Sequence, residues 1–267
     1  MKPLAHHGVA VTRAEPERGP LARRLEARGA RVVRWAAVRL APPTDPRPLE
    51  SALAHLERFD WLVATSAHAV AAVTSRVAEK PAALRVAAVG PATAAELEAA
   101  GWAVDAVGSG PGAEALVETL GARGVAGARI LFPSSSLARE TLGDGLAALG
   151  AVLERVEAYR TLPARLDVGA CYAQLDAGAV DAVTFTSPSA IDGLERAFGR
   201  EELRALLDRV VVATLGPTTS AALAALGRAP DAEAAPSTLD ALVAAVERAL
   251  AHRSRSPRAA SSVGATK

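Results

Sequence analysis

The chain of 267 residues has one cysteine, three lysines and few aromatic residues. A single thiol, Cys171, excludes an internal disulfide framework and favours a cytosolic protein. No apolar run approaches the roughly 20 residues that a membrane-spanning helix needs, and the first residues lack the apolar core of a signal peptide. We therefore expect a cytoplasmic protein without a membrane partner.

Several classes of binding site are also missing. The formal net charge is +1 and the charges are scattered, which argues against a nucleic-acid partner. The five histidines show no metal-ligand spacing. There is no P-loop, no glycine fingerprint of a dinucleotide site and no GxSxG nucleophile elbow. We expect no metal.

Half of the residues are apolar, and the length allows two domains with separate cores. Short apolar runs alternate with helical patterns, which predicts parallel sheets covered by helices. The predicted strands are Gly8–Thr12, Arg31–Val38, Trp61–Thr65, Arg85–Val89, Val104–Val107, Arg129–Phe132, Val152–Tyr159, Asp181–Phe185 and Val210–Thr214. Helix starts are predicted at Pro16, Pro91, Pro188 and Pro217, and helix ends at Gly29, Gly101, Gly150 and Gly227.

The sequence contains an internal repeat. Residues 29–42 align without a gap with residues 150–163, which lie 121 positions later. A second pair of similar segments begins at Gly90 and Gly216, where the offset is 126. A duplicated α/β unit usually places two similar edges against each other, so we expect a ligand in a cleft between two lobes.

We expect one of the two domains to be discontinuous, because proline-containing linkers follow both copies of a long predicted strand. The first domain combines residues 1–38 with 165–251, the second comprises 42–160, and residues 39–41 and 161–164 are the linkers. Residues 252–267 are basic and rich in serine, which predicts a disordered tail.

Small hydroxyl residues follow nearly every predicted strand, at the edge where open α/β sheets bind their ligands. The candidate ligand-binding residues are Thr12, Arg13, Thr65, Ser66, Ala67, Gly90, Ser134, Ser187, Pro188, Ser189, Gly216, Thr218 and Thr219. Taken singly, each hydroxyl is typical of a helix N-cap, which stabilises a helix by about 1 kcal/mol. Several helix N-termini facing one cleft would instead form a multidentate anion site.

Tyr159 breaks the symmetry of the repeat, because it occupies the position that Val38 fills 121 residues earlier. One interpretation is a half-buried ring at a strand end with its hydroxyl in water. The other is a phenol in the cleft that donates a hydrogen bond or a proton. His68 opens a helix beside Ser66, either as a solvated first-turn residue or as part of the cleft.

Over roughly residues 8–250 the chain resembles the uroporphyrinogen-III synthase family. The resemblance rests on short fragments in a fixed order, and their combined order and spacing are specific. They are VTR at 11–13, TS at 65–66, VGPATAAEL at 89–97, AYRT at 158–161, FTSPSAI at 185–191 and LGPTTSAAL at 215–223.

The resemblance implies an α/β protein with two flavodoxin-like, doubly wound parallel-sheet domains, joined by a two-stranded linker, with the active site in the interdomain cleft. It implies a hydro-lyase of tetrapyrrole biosynthesis that needs no metal or organic cofactor. The substrate is then hydroxymethylbilane, a linear tetrapyrrole with eight carboxylates, which closes to uroporphyrinogen III with inversion of ring D and loss of water. Tyr159 matches the tyrosine of the family and is the candidate for assisting departure of the hydroxyl group.

We expect a monomer with a small-molecule substrate and at most a transient contact with the preceding pathway enzyme. The alternative is a non-enzymatic, two-domain cytosolic binding protein or sensor for a small polyanion. The oxidised products separate the two, because spontaneous closure of hydroxymethylbilane gives the symmetric I isomer and the enzyme gives the III isomer.

Overall fold

The computed structural model describes residues 2–15, 19–110, 112–136 and 141–255, with side chains described up to Arg253. The chain divides into two compact units. The first lies within Met1–Ala36, Leu166–Leu215 and Thr219–Lys267, and the second within Ala37–Arg165 and Gly216–Thr218.

Short strands alternate with helices along the whole described chain. The strands are β1 (Gly8–Val11), β2 (Arg31–Arg34), β3 (Val38–Ala41), β4 (Trp61–Ala64), β5 (Arg85–Ala88), β6 (Ala106–Val107), β7 (Arg129–Ser135), β8 (Val152–Pro163), β9 (Ala182–Phe185), β10 (Val211–Thr214) and β11 (Ala232–Glu233). The helices are α1 (Pro20–Ala27), α2 (Arg47–Ala54), α3 (Ala67–Thr74), α4 (Pro91–Ala99), α5 (Gly112–Gly121), α6 (Thr141–Ala148), α7 (Val168–Asp176), α8 (Pro188–Phe198), α9 (Arg200–Leu207), α10 (Pro217–Ala225) and α11 (Leu239–Arg255).

Both units contain five parallel strands in the same order. The first sheet has the order β11-β10-β9-β1-β2. The second has the order β6-β5-β4-β7-β8, and β3 is added antiparallel to the far end of β8. Strands at equivalent places in the two sheets are those that the repeat aligns, so the repeat is the duplication of a whole sheet. The predicted α/β fold with two parallel sheets is confirmed.

The second sheet is covered on both faces, and the alternation of side chains along β4 shows why. Leu62 and Ala64 pack in one core cluster, while Trp61 and Val63 pack in another. The first cluster includes side chains of α2, α3 and α4, and the second includes side chains of α5 and α6. A strand that is apolar at every position is typical of a sheet buried on both sides.

Four aspartates hold the amino ends of strands in a duplicated pattern. In each case a carboxylate accepts a hydrogen bond, 2.7–2.8 Å long, from a backbone N–H at the start of a neighbouring strand. The pairs are Asp181 with Gly8, Asp60 with Arg129, Asp105 with Val86, and Asp231 with Val212. The first two pairs are related by the offset of 121 and the last two by the offset of 126. These carboxylates satisfy N–H groups that would otherwise lack a partner at the sheet edge.

The predicted strand Arg31–Val38 is wrong in one respect, because the structure has two strands there, β2 and β3. Between them Trp35 is completely buried. Its backbone N–H donates to the carbonyl of Val11 over 2.9 Å, and its indole N–H donates to Oε1 of Gln174 over 2.7 Å. The chain leaves the first sheet after this anchored ring. In the second copy of the repeat, β8 continues without a break.

The residues predicted to be linkers are regular structure. Residues 39–41 belong to β3 and residues 161–163 belong to β8, and the two segments pair antiparallel with Leu40 opposite Thr161. Helix α11 continues to Arg255, so the first residues of the predicted tail are helical. Residues 256–267 lie outside the described part of the chain.

Proline and glycine mark the helix ends largely as expected. Three of the four predicted prolines open helices, at Pro91, Pro188 and Pro217. The fourth, Pro16, lies outside the described residues, and α1 begins at Pro20. The four predicted cap glycines have positive φ angles of 95°, 82°, 78° and 91°, at Gly29, Gly101, Gly150 and Gly227. Among the described helices, none has the length and apolar character that a membrane crossing requires.

We predict that the thiol of Cys171 reacts slowly and contributes a pH dependence to stability. Cys171 is 2% exposed. Burial, and to a smaller extent the charge of Asp167, raises its pKa from 9.0 to about 11. In the unfolded chain the thiol therefore ionises first, so folding stability falls as the pH rises from about 9 to 11. At pH 9 we expect alkylation by iodoacetamide to be more than about tenfold slower in the folded protein.

The matched variant for this prediction is Cys171→Ala. Between pH 9 and 11 the free energy of unfolding should fall less in Cys171→Ala than in the unmodified protein, because the contribution of the thiol is absent. The contributions of other groups should remain. Equal pH profiles for the two proteins in urea denaturation would contradict the prediction.

Candidate active site

Ser66 and Tyr159 meet at the carboxyl ends of the strands of the second sheet. Ser66 follows β4 as the N-cap of α3, and Tyr159 lies on β8. The two strands are separated in the sheet by β7. The side-chain oxygens of the two residues are nevertheless 3.1 Å apart, within hydrogen-bonding distance. The fold therefore joins two residues that are 93 positions apart in the sequence.

A β-bulge explains how Tyr159 reaches Ser66. Ser134 pairs with Glu157 and Ser135 pairs with Tyr159, so Ala158 is an extra residue in β8. Successive side chains of a regular strand point to opposite faces. Here both Ala158 and Tyr159 pack against the same core cluster, the one that includes side chains of α3. The bulge thus turns the phenol toward the N-terminus of α3.

Two further contacts hold this pair in place. Oγ of Ser66 accepts a hydrogen bond from the backbone N–H of Ala69 over 3.1 Å, which caps α3. The ring of His68 meets the ring of Tyr159 edge to face, with centroids 5.5 Å apart and planes at 86°. The sequence left open whether His68 is solvated or part of the cleft, and its ring contact with Tyr159 could not be predicted, since a contact across the sheet leaves no local pattern.

The first unit has the same backbone conformation at the equivalent serine but lacks the contact with a tyrosine. Ser187, the equivalent of Ser66, has φ and ψ of −159° and 153°, against −160° and 153° at Ser66. Its hydroxyl does not cap α8. It lies 3.0 Å from the hydroxyl of Ser189, the residue equivalent to His68. Both serines are half-buried, so this pair of hydroxyls can donate hydrogen bonds to a ligand.

The helix N-terminus after β1 is occupied by a side chain of the protein itself. The carboxylate of Glu15 accepts hydrogen bonds from the backbone N–H groups of Leu21 and Ala22, over 3.2 and 2.9 Å. Nε of Arg13 lies 3.6 Å from the same carboxylate. The amides that open α1 are therefore not available to another anion. No sequence pattern indicates this contact, because Glu15 lies six residues before Leu21, outside the usual spacing of a capping residue.

Three of the hydroxyl residues predicted to bind a ligand are buried. Thr12 has no exposed surface, and its hydroxyl donates to the carbonyl of Thr184 over 2.8 Å, which joins the ends of β1 and β9. Oγ of Ser134 accepts a hydrogen bond from Nε of Arg155 over 3.1 Å. Thr219 is 4% exposed. The hydroxyls of Thr12 and Ser134 are thus already engaged within the protein.

The two threonines that open α10 differ in exposure and in symmetry. Thr219 is matched in the other copy by Thr93, which is buried as well. Thr218 is exposed, and Ala92 occupies the equivalent position. A buried residue present in both copies fits a packing role, whereas an exposed hydroxyl present in one copy is free for a ligand.

The remaining predicted residues lie at strand ends as expected from the sequence. Those that are half-buried are Arg13, Thr65, Ala67, Gly90 and Pro188, while Gly216 is buried. Within the described ranges, no group of three or more His, Cys, Asp or Glu side chains is arranged to hold a metal ion.

Comparison with known proteins identifies the family. The family model described as uroporphyrinogen-III synthase HemD matches residues 19–244. The chain belongs to the uroporphyrinogen-III synthase family. The uroporphyrinogen-III synthase of Synechococcus elongatus is 32% identical over 259 residues, which cover 92% of this chain and 97% of that protein. A putative uroporphyrinogen-III synthase of Methanothermobacter thermautotrophicus is also 32% identical, over 221 residues, 79% of this chain and 86% of that protein.

Solved structures of uroporphyrinogen-III synthases have the same fold. A mutant of the Thermus thermophilus enzyme has a TM-score of 0.64 at 22% identity, covering 92% of this chain and 99% of that one. The Helicobacter pylori enzyme has a TM-score of 0.56 at 16% identity, covering 92% of this chain and all of the other. The resemblance to the uroporphyrinogen-III synthase family, proposed on short fragments, is confirmed.

Proposed function

We propose that this chain converts hydroxymethylbilane into uroporphyrinogen III, as a cytoplasmic, monomeric hydro-lyase with no cofactor. Family membership supports the reaction, and the Ser66–Tyr159 contact supports the site. Tyr159 is polar at a position where the other copy of the repeat has an apolar residue, and its hydroxyl is held at the edge of the sheet where ligands bind.

In this mechanism Tyr159 donates a hydrogen bond to the hydroxyl group that leaves ring A. Departure of that group as hydroxide, hydrogen-bonded to the phenol, leaves an azafulvenium cation, which the substituted carbon of ring D attacks. The proton released when the macrocycle closes converts the hydroxide to water. The spirocyclic intermediate then fragments and closes again with ring D inverted. General acid assistance of this kind is worth about 10²–10⁴-fold in rate. Holding a flexible linear chain in the reactive shape supplies a further part of the acceleration.

In each unit, we propose that donors at the strand ends bind carboxylates of the substrate. In the second unit these include the backbone amides of Thr65 and Gly90, the hydroxyl of Thr65 and the exposed hydroxyl of Thr218. In the first unit they include the hydroxyl pair of Ser187 and Ser189 and the guanidinium of Arg13. Thr12, Ser134 and Thr219 then have structural roles in the strands and helix beside these donors, because their side chains are buried.

The test is to supply hydroxymethylbilane and analyse the oxidised products by chromatography. We expect the III isomer in large excess over the I isomer, which forms in a control without protein. A polyanion-binding protein without activity would leave the product as the I isomer and would contradict the proposal. A transient complex with the enzyme that supplies the substrate is a separate expectation, tested by following both enzymes together.

A further inference from the structure

The duplicated backbone gives the pair Ser66–Tyr159 an internal reference. Ser66 and Ser187 are N-caps with the same backbone angles, yet only Ser66 bonds to a tyrosine. Ser66 also accepts the capping hydrogen bond from Ala69, whereas Ser187 makes no capping bond. The capping bond and the tyrosine contact are therefore both specific to the copy that contains Ser66.

The hydrogen-bonding capacity of a serine hydroxyl limits what Ser66 can do for Tyr159. The hydroxyl has one hydrogen to donate and two lone pairs. One lone pair accepts the N–H of Ala69. When Ser66 donates its hydrogen to Oη of Tyr159, the phenol keeps its own hydrogen for a different acceptor. When Tyr159 donates to Ser66 instead, that hydrogen is used inside the protein.

The position of Ser66 at the start of α3 favours the first arrangement during the reaction. The N-terminus of a helix carries a partial positive charge, which stabilises a nearby oxygen that becomes electron-rich. The hydrogen bonds from Ala69 to Ser66 and from Ser66 to Tyr159 then point in one direction, and bonds in such a chain strengthen each other. Negative charge that develops on Oη while Tyr159 donates to a leaving group is stabilised by this chain.

His68 supplies the second restraint. Its ring packs edge to face with the ring of Tyr159, and the equivalent residue in the other copy is the small Ser189. The contact with His68 fixes the orientation of the Tyr159 ring, and the contact with Ser66 gives the phenol oxygen a fixed hydrogen-bond partner. Both restraints are present in the copy that has the tyrosine.

We propose that Ser66 is a positioning residue of the reaction, which acts through Tyr159 by donating a hydrogen bond to its phenol oxygen. This inference rests on the proposed function, since it assigns Tyr159 to the chemical step. Ser66 is distinct in this role from the donors that bind substrate carboxylates.

The experiment is a double-mutant cycle with Ser66→Ala, Tyr159→Phe and the double variant, measured for kcat and KM with hydroxymethylbilane. Ser66→Ala should lower kcat about tenfold, as expected for one lost hydrogen bond to a charged group, with little change in KM. In the Tyr159→Phe background the same change should lower kcat less than about twofold. Ser66→Thr, which keeps the hydroxyl and the cap, should restore kcat.

The matched comparison is Ser187→Ala, which removes the equivalent hydroxyl. We expect Ser187→Ala to raise KM. Tyr159→Phe should lower kcat by the same factor in the Ser187→Ala background as in the unmodified protein. Thermal denaturation measures separately how much stability is lost with the α3 cap. Ser66→Gly is a second variant without the hydroxyl, because glycine is tolerated at an N-cap.

The inference would be overturned if Ser66→Ala lowered kcat equally in the unmodified protein and in Tyr159→Phe. It would also be overturned if Ser66→Ala changed only KM. In either case Tyr159→Phe alone would still be slow, and the proposed function would stand. A Tyr159→Phe variant with the kcat of the unmodified protein would remove both the inference and the role of Tyr159. Failure of the unmodified protein to form the III isomer would refute the proposed function itself.

Discussion

Replacing Tyr159 by phenylalanine should lower kcat about 10²-fold while the III isomer remains the main enzymatic product. The substitution removes the hydroxyl that lies 3.1 Å from Oγ of Ser66 and keeps the ring that packs against His68. Hydrogen-bond assistance to the leaving group is lost, which accounts for an effect at the lower end of general acid catalysis. Residues that fold the substrate are unchanged, so the preference for the inverted product should persist.

Tyr172→Phe is the matched control for this prediction. Tyr172 is the other tyrosine of the chain, lies on α7 and packs edge to face against Phe198 with ring centroids 5.7 Å apart. Its substitution removes the same atom from a place that is not a strand end. We expect its kcat to equal that of the unmodified protein. A similar loss in both variants would show that the effect of Tyr159→Phe is a general one on the fold.

Replacing Gly8 by alanine should have the largest effect on stability. A Cβ atom at Gly8 would lie 1.8 Å from the carbonyl oxygen of Ala179 and 2.7 Å from its carbonyl carbon. Both atoms are backbone, so no change of rotamer relieves the overlap. Gly8 also belongs to β1, which is paired on both sides, and its N–H is held by Asp181 over 2.8 Å. Moving the strand would therefore disturb the ladders with β2 and β9.

We expect this change to lower the free energy of unfolding by about 3 kcal/mol or more, with a fall in Tm of roughly 10 °C. Circular dichroism during thermal and urea denaturation measures both. Gly169→Ala serves as the control, because Gly169 lies on α7 and the nearest atom to a new Cβ is a side-chain oxygen of Asp167 at 3.4 Å. Alanine in a helix is slightly more stable than glycine. A Tm of Gly8→Ala equal to that of the unmodified protein would contradict the close approach of Gly8 to the carbonyl group of Ala179.

The duplicated fold could be predicted from the sequence because its signals are local. Apolar runs mark the strands, prolines and glycines mark the helix ends, and the offset of 121 relates β2 to β8 and β4 to β9. The break at Trp35 could not be predicted in the same way. In the alignment it occupies the position of Val156, which continues a strand, and the partners of the Trp35 ring, Gln174 and Phe198, are distant in the sequence.

The candidate site could be predicted less completely, since its geometry depends on residues distant in the sequence. The positions of Ser66, Ser187 and Tyr159 followed from the repeat, but their contacts did not. A one-residue bulge decides that the phenol faces α3, and a bulge has no composition signal here. The carboxylate of Glu15 occupies helix amides that the pattern of strand ends suggested were open.

The position of β1 within its sheet has a consequence for biosynthesis. β1 is a central strand, and its neighbour β9 is encoded about 170 residues later, with Val9 opposite Ala182. At typical rates of translation the ribosome needs roughly ten to thirty-five seconds to make the intervening chain. Nearly all of the second unit is synthesised during that interval as one continuous segment, before the β9 partner of β1 exists. The nascent chain therefore contains nearly all of the second unit before it contains all the strands of the first sheet.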